Sequence, residues 1–243
     1  MWIGTRNGLN RYDGHSFKTF RPSAGNSISN EIINDIDEDS RGRIWVATME
    51  GLNIYDPASN TWTCMMPHPD TSVRAIPNFL VWDIMVDKND QVWIASDVHE
   101  FCSYDARRDK FTYYGWPRFA RSNSTIKQYK YKSIQKFSVK SDHEFWLGTT
   151  TGLVLLNTDT KQFRFIGSGG YYAYVMGIVY DPTNRKVFIS TEENKIFSYD
   201  ETENKYSEVF ADEEQYPSSS FFQPGQNEIW MPSEKGLIKI CND

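Results

Sequence analysis

Cysteine is scarce, with only Cys64, Cys102 and Cys241, three residues far apart in the chain. That number and spacing fit neither a disulfide framework nor a metal knuckle, so the three read as packing residues and leave the redox compartment open. Histidine is nearly as rare, and His15, His68, His99 and His143 show no paired metal-ligand spacing. No run approaches about 18 apolar residues, which argues against a membrane-spanning helix and direct membrane insertion. Residues Met1 to Thr5 lack the basic flank, apolar stretch and small-residue site of a secretory leader. Positive charge is not in excess either: the formal net charge is −6, which disfavours a nucleic-acid groove or an anionic membrane as partner. There is no nucleophile elbow and no glycine-rich phosphate loop, so no catalytic residue is assigned and no cofactor is expected. Helical periodicity is missing throughout.

What the chain does have is a repeat. Six times a bulky residue is followed by an aliphatic residue or Met, then a small residue or Pro, then Thr or Ser. The copies are Trp2-Ile3-Gly4-Thr5, Trp45-Val46-Ala47-Thr48, Trp93-Ile94-Ala95-Ser96, Trp146-Leu147-Gly148-Thr149, Phe188-Ile189-Ser190-Thr191 and Trp230-Met231-Pro232-Ser233. The anchors are 43, 48, 53, 42 and 42 residues apart, the spacing of one four-stranded propeller blade per repeat. The fold class is therefore all-β, a β-propeller of six blade repeats over residues 1–243, read as one propeller fragment.

The second repeat gives the template. Ile32 to Asp37, Arg43 to Thr48, Leu52 to Tyr55 and Thr61 to Met65 are four short strands, A to D, joined by turn-rich links. Ile44, Val46, Leu52 and Ile54 recur with the period of two that gives a strand two distinct faces. The same template puts A near 80–86, 132–139, 173–180 and 218–222, and D near 17–20, 110–114, 162–166 and 205–210. The anchor tryptophan suits a wedge between neighbouring blades, with the small residue two positions on leaving room for it. Gly8, Gly51, Gly152 and Gly236 fall six residues after their anchors, where a tight B-to-C hairpin needs a positive φ. Blades three and five have Glu100 and Lys195 after a one-residue insertion, so their hairpins should differ in shape. The first copy begins at strand B and the last stops after strand C, giving 22 strands with the outer two blades incomplete. The expectation is a part of a larger ring.

In such a meander the B-to-C and D-to-A loops share one face, where ligand sites are expected. Tyr113 to Arg121, followed by Lys127, Tyr129, Lys130, Tyr131 and Lys132, combines aromatic planes with cations in the longest interval between anchors. Aromatic faces stack on sugar rings and Arg pairs with acidic groups, so Trp116, Arg118 and Arg121 are candidate ligand-binding residues for an oligosaccharide. Tyr171, Tyr172 and Tyr174 form a second candidate group. Asp35, Asp37 and Asp39 alternate like the start of a calcium loop, but Ser40 stands where that loop needs Gly and Val46 where it needs Glu. A strand and its turn explain the acids, and no metal is assigned.

The string from Trp2 through Leu9-Asn10-Arg11-Tyr12-Asp13-Gly14, then Asn26-Ser27-Ile28-Ser29-Asn30 and Asp37 to Trp45, resembles the two-component regulator propeller repeats. The resemblance runs over the whole chain, strongest in blades one, two and four. It implies the periplasmic sensor region of a hybrid two-component receptor, in which two consecutive seven-bladed propellers precede a β-sandwich, a membrane span and cytoplasmic kinase and regulator modules. It also implies recognition of glycan breakdown products, a homodimer or contacts with further blades, and no enzymatic activity in this segment. No ligand-binding residue is carried over by the resemblance. The rival is an enzyme, since lyases of the streptogramin type use a similar propeller; such a site needs a general base at the ring centre.

Overall fold

The computed structural model describes residues 1–68, 75–97, 100–115, 133–167, 174–211, 222–225, 228–233 and 236–241. Among them are 22 strands and no helix. They form six antiparallel sheets, each taken in chain order from its innermost to its outermost strand. The first sheet is β1 (Trp2–Thr5), β2 (Gly8–Tyr12) and β3 (Phe17–Phe20); the second is β4 (Ile33–Glu38), β5 (Ile44–Thr48), β6 (Leu52–Asp56) and β7 (Thr61–Met65). The third is β8 (Val81–Val86), β9 (Gln91–Ser96), β10 (Glu100–Asp105) and β11 (Lys110–Gly115), and the fourth is β12 (Ile134–Ser141), β13 (Glu144–Thr149), β14 (Gly152–Asn157) and β15 (Gln162–Gly167). The fifth is β16 (Val175–Asp181), β17 (Lys186–Thr191), β18 (Lys195–Asp200) and β19 (Lys205–Ala211), and the sixth is β20 (Phe222–Gly225), β21 (Glu228–Ser233) and β22 (Gly236–Cys241). The first sheet thus begins at strand B and the last ends at strand C, as the anchors imply. Two compact units result, Met1–Gly115 with the first three blades and Trp116–Asp243 with the other three.

Each position of the anchor motif has a physical task. The bulky residue is a wedge: Trp2 meets Tyr55 at 5.6 Å, Trp45 meets Tyr104 at 6.0 Å and Trp146 meets Tyr199 at 5.8 Å, in each case the penultimate residue of strand C of the following blade. Those tyrosines are fixed in turn, because Tyr55, Tyr104 and Tyr199 donate their hydroxyls to Asn60, Asp109 and Asn204 in the C-to-D turn. The aliphatic residues Val46, Ile94 and Leu147 are fully buried. The small residue makes room for the inner strand of the next blade. A Cβ on Gly4 would lie 2.7 Å from Ile33 Cγ2, and one on Gly148 would lie 2.6 Å from Val175 Cγ1. The threonine closes the hairpin: Thr5, Thr48 and Thr149 donate Oγ1 to the carbonyls of Gly8, Gly51 and Gly152 at 2.8 Å.

The hairpin glycines carry φ between 96° and 132°. In the fifth blade the inserted residue makes a three-residue link, and Asn194 takes the left-handed conformation at φ 60°, which Asn tolerates better than most residues. Cys102 is buried, but Cys64 is exposed on the outermost strand β7, so only one of the two described thiols is a packing residue. Strand D is the outer edge of its sheet, and the Cys64 thiol lies beside Ser29 and Gly51, where burial pushes its pKa up.

Candidate functional site

The inner strands are the least regular and the most informative. In β4, β8, β12 and β16 the first residue pairs with the Thr or Ser of its own anchor motif, and a register shift follows: Ile33/Asp35, Val81/Asp83, Ile134/Lys136 and Val175/Gly177. The fifth residue then pairs with the anchor itself, as Asp37 with Trp45, Met85 with Trp93, Ser138 with Trp146 and Val179 with Phe188; Phe222 keeps the same relation to Trp230. A bulge re-aims the residue it leaves unpaired, and bulges are over-represented at sheet edges and next to active sites. The residues so re-aimed are Asn34 and Trp82 in the first unit and Gln135 and Met176 in the second.

Within each unit these side chains reach toward the start of the next inner strand. Asn34 Nδ2 donates to Val81 O at 2.7 Å. Gln135, buried, donates Nε2 to Ser133 Oγ at 2.6 Å and accepts from Tyr174 Oη at 2.8 Å. Trp82 Nε1 is shielded from water and has no hydrogen-bond partner among the described residues, a donor in want of an acceptor. Amides, a phenol and an indole are hydrogen-bonding groups that keep one charge state near neutrality. Their chemistry suits recognition of neutral polar groups.

Of the candidates read from the sequence, Trp116, Arg118, Arg121, Tyr171 and Tyr172 lie outside the described residues. Tyr174, the last of the second group, is described and joins the Gln135 cluster. At the start of the aromatic stretch, Tyr113 donates its hydroxyl to Ala75 O at 2.7 Å, while Tyr114 is buried against Trp93 and Phe101. Tyr114 is core. Asn34, Trp82 and Gln135 were missed because a bulge breaks the period of two by one residue, leaving no mark in the hydrophobic pattern.

The acids of the second blade are structural. Asp35 and Asp37 accept the backbone amides of Ile84 and Val86 at 3.0 and 2.6 Å, capping the bare edge of the next inner strand. Burial pushes the Asp37 carboxyl up, against the bonds from Val86 and Glu38. Asp39 accepts from Arg41 N, Arg43 N, Arg43 Nε and Trp45 Nε1 at 2.7 to 3.0 Å, and so ties the A-to-B turn to the wedge. Next to it, Ser40 donates its amide and hydroxyl to Asp90 in the third blade, and these bonds, with Arg107, hold the Asp90 carboxyl far below the usual carboxylate range. Among the described residues no group of three or more His, Cys, Asp or Glu is placed to hold a metal ion.

The loop before β4 is tied down just as closely. Ser29 N donates to Asn53 Oδ1 and Asn53 Nδ2 to Ser29 Oγ, Ser29 Oγ donates to Glu50 O, and Asn30 Oδ1 accepts Ile32 N. Residues 27–50, which hold this loop, strand β4, the turn and the Trp45 motif, match the family model described as Two component regulator propeller. The same architecture recurs in solved structures. The extracellular domain of a putative hybrid two-component system from B. thetaiotaomicron superposes with a TM-score of 0.77 at 21% identity, over 99% of this chain and 32% of that one. The extracellular domain of a putative one-component system from the same organism gives 0.65 at 18% identity, over 98% and 36%. PorZ, a surface component of the type-IX secretion system of Porphyromonas gingivalis, gives 0.64 at 13% identity, over 99% and 37%. The chain therefore spans about a third of the length of these structures, and at such identities the likeness is one of fold. Among curated proteins nothing matches the sequence.

Proposed function

We propose that this chain is an extracytoplasmic ligand-sensing propeller segment of a hybrid two-component regulator, that its six blades work as one propeller fragment, and that its ligand is a glycan-derived oligosaccharide bound without turnover. The carrying observation is the recurrence, in each unit taken by itself, of neutral hydrogen-bonding groups at the bulge of an inner strand: Asn34 and Trp82 in one, the buried Gln135–Tyr174 pair in the other. Sugar hydroxyls are neutral donors and acceptors, and the repeat match at residues 27–50 supports the sensor assignment. Trp116, Arg118 and Arg121 precede β12 in the sequence and Tyr171 and Tyr172 precede β16, and they are proposed to add ligand contacts. Periplasmic placement follows from the same reading, with the kinase in segments beyond this chain and a homodimer or further blades as partners.

Titration calorimetry against a panel of neutral and acidic oligosaccharides tests this reading, with product analysis of the same mixtures by mass spectrometry. Saturable one-to-one binding of at least one neutral oligosaccharide, returned unchanged, is the expected result. Cleavage of a panel member would favour the lyase class instead, and no heat with any member up to millimolar concentration would count against a complete sensing site here.

A further inference from the structure

Two sulfur-bearing side chains converge beside the B-to-C hairpin of the second blade. Cys64 pairs with Asn53 and Met65 with Leu52 where β7 closes on β6, and Met66 follows directly. The nearest heavy atoms to a Cβ placed on Gly51 would be Met66 Sδ at 2.8 Å, Met65 O at 3.0 Å and Cys64 Sγ at 3.3 Å. Because glycine carries no Cβ, a thioether, a carbonyl and a thiol share one small cradle. Its two sulfurs stand within roughly 6 Å of each other, and two metal–sulfur bonds of about 2.3 Å span roughly 4.6 Å, so small side-chain rotations bring both sulfurs onto one ion. Both residues are exposed and have room to turn.

We infer that Cys64 and Met66 form a binding site for one soft monovalent metal ion, Cu(I). The residue types select the ion: thiolate and thioether are soft ligands that suit Cu(I). Zn(II) instead fills a tetrahedron from Cys, His, Asp and Glu, and among the described residues no three of those come together. The electrostatics agree. Partial burial pushes the Cys64 thiol up, a bond from Ser29 opposes this, and the Glu50 carboxylate adds to it. A bare thiolate is therefore disfavoured, whereas a thiolate that carries a monovalent cation is neutral and escapes both penalties. Binding is an exchange in which one lone pair from each sulfur forms a bond to the ion and the thiol proton leaves to water. No electron is transferred, and the charge of the site is the same before and after.

The test uses the full 243-residue chain, reduced and kept free of oxygen, and Cu(I) delivered as its acetonitrile complex. Binding is read from ultraviolet thiolate-to-copper charge transfer and from the methionine methyl signals in NMR, and affinity from competition with bicinchoninate. One equivalent is expected to bind, with the Met66 methyl signal shifting most. Cys64→Ser should abolish this binding while Cys102 and Cys241 remain. Met66→Leu, which keeps the volume of the side chain and removes its sulfur, should weaken affinity at least about tenfold. Circular dichroism melts confirm that both variants fold. No charge transfer in the unaltered chain, full binding by Cys64→Ser, or equal affinity in Met66→Leu would overturn the inference. So would Zn(II) that displaces the bound Cu(I) at equal concentration.

Discussion

Two A-to-B turns, one in each unit, solve the same problem with opposite charges. In the second blade Asp39 precedes the anchor by six residues and Arg43 by two; Asp39 accepts from Trp45 Nε1 at 3.0 Å, and Arg43 pairs with Asp39 and lies 5.5 Å from the Trp45 ring centre. In the fourth blade the same two places hold Lys140 and Glu144, with Lys140 Nζ 5.4 Å from the Trp146 ring centre. The pair is reversed and the cation still covers the indole. What the reversal loses is the acceptor, for Trp146 Nε1 is buried with no partner among the described residues. What it adds is a link to the next blade, since Lys140 Nζ lies 2.7 Å from Glu201 Oε2, on a side chain only 5% exposed. The first arrangement stabilises its own turn, and the second staples two blades together.

The largest expected difference follows from that staple. Lys140→Ala leaves the buried Glu201 carboxylate without its cation and should cost about 3 to 5 kcal/mol. Arg43→Ala leaves Asp39 with two backbone amides and an indole, and should cost about 1 kcal/mol. Denaturant midpoints at pH 7 check the order, and equal losses would break the comparison.

A subtler pair isolates the indole bond. Trp45→Phe removes a buried donor that Asp39 uses and should cost about 1 to 3 kcal/mol, whereas Trp146→Phe removes an unsatisfied donor and should cost less by about 1 kcal/mol. Both wedges are fully buried, so the loss of ring area is common to the two. Thermal unfolding of the two variants side by side measures the difference.

The smallest effect is a pH dependence. Bonds from Ser40 and Arg107 lower the folded-state pKa of Asp90 below its unfolded value. Its contribution is therefore present above about pH 4, the unfolded carboxylate range, and is lost as the pH falls through the folded pKa. Asp90→Asn should lower the melting temperature at pH 7 and lose that deficit progressively as the pH falls toward 2. A deficit that stays constant with pH would place the effect in packing.

The blades were legible because a wedge, a small residue and a hairpin threonine must sit at fixed offsets. Trp45, Gly4 and Thr48 each do what their type and place suggest. The Tyr-Asp pairs at Tyr55-Asp56, Tyr104-Asp105 and Tyr199-Asp200 were equally available: each tyrosine receives a wedge and each Asp accepts amides of the following turn. Their repetition was the missed signal. The acids of β4 were readable as strand and turn but not as caps, because the amides they serve lie 49 residues away in the next blade. The bulges were hidden for a different reason: which residue leaves the ladder depends on the neighbouring strand, not on the local pattern.

The central claim of the proposed function is that ligand binding depends on the buried polar groups at the bulges of the inner strands, while the outer strands and turns carry stability. Calorimetric titration of the best-bound oligosaccharide into Gln135→Ala, and into Trp62→Ala on the outer strand β7, measures this directly once both variants are shown to be folded. The account predicts a loss of about tenfold or more in affinity for Gln135→Ala, the effect of breaking a buried polar network at the site, and unchanged affinity for Trp62→Ala. Equal affinity in both variants, or a loss confined to Trp62→Ala, would contradict it.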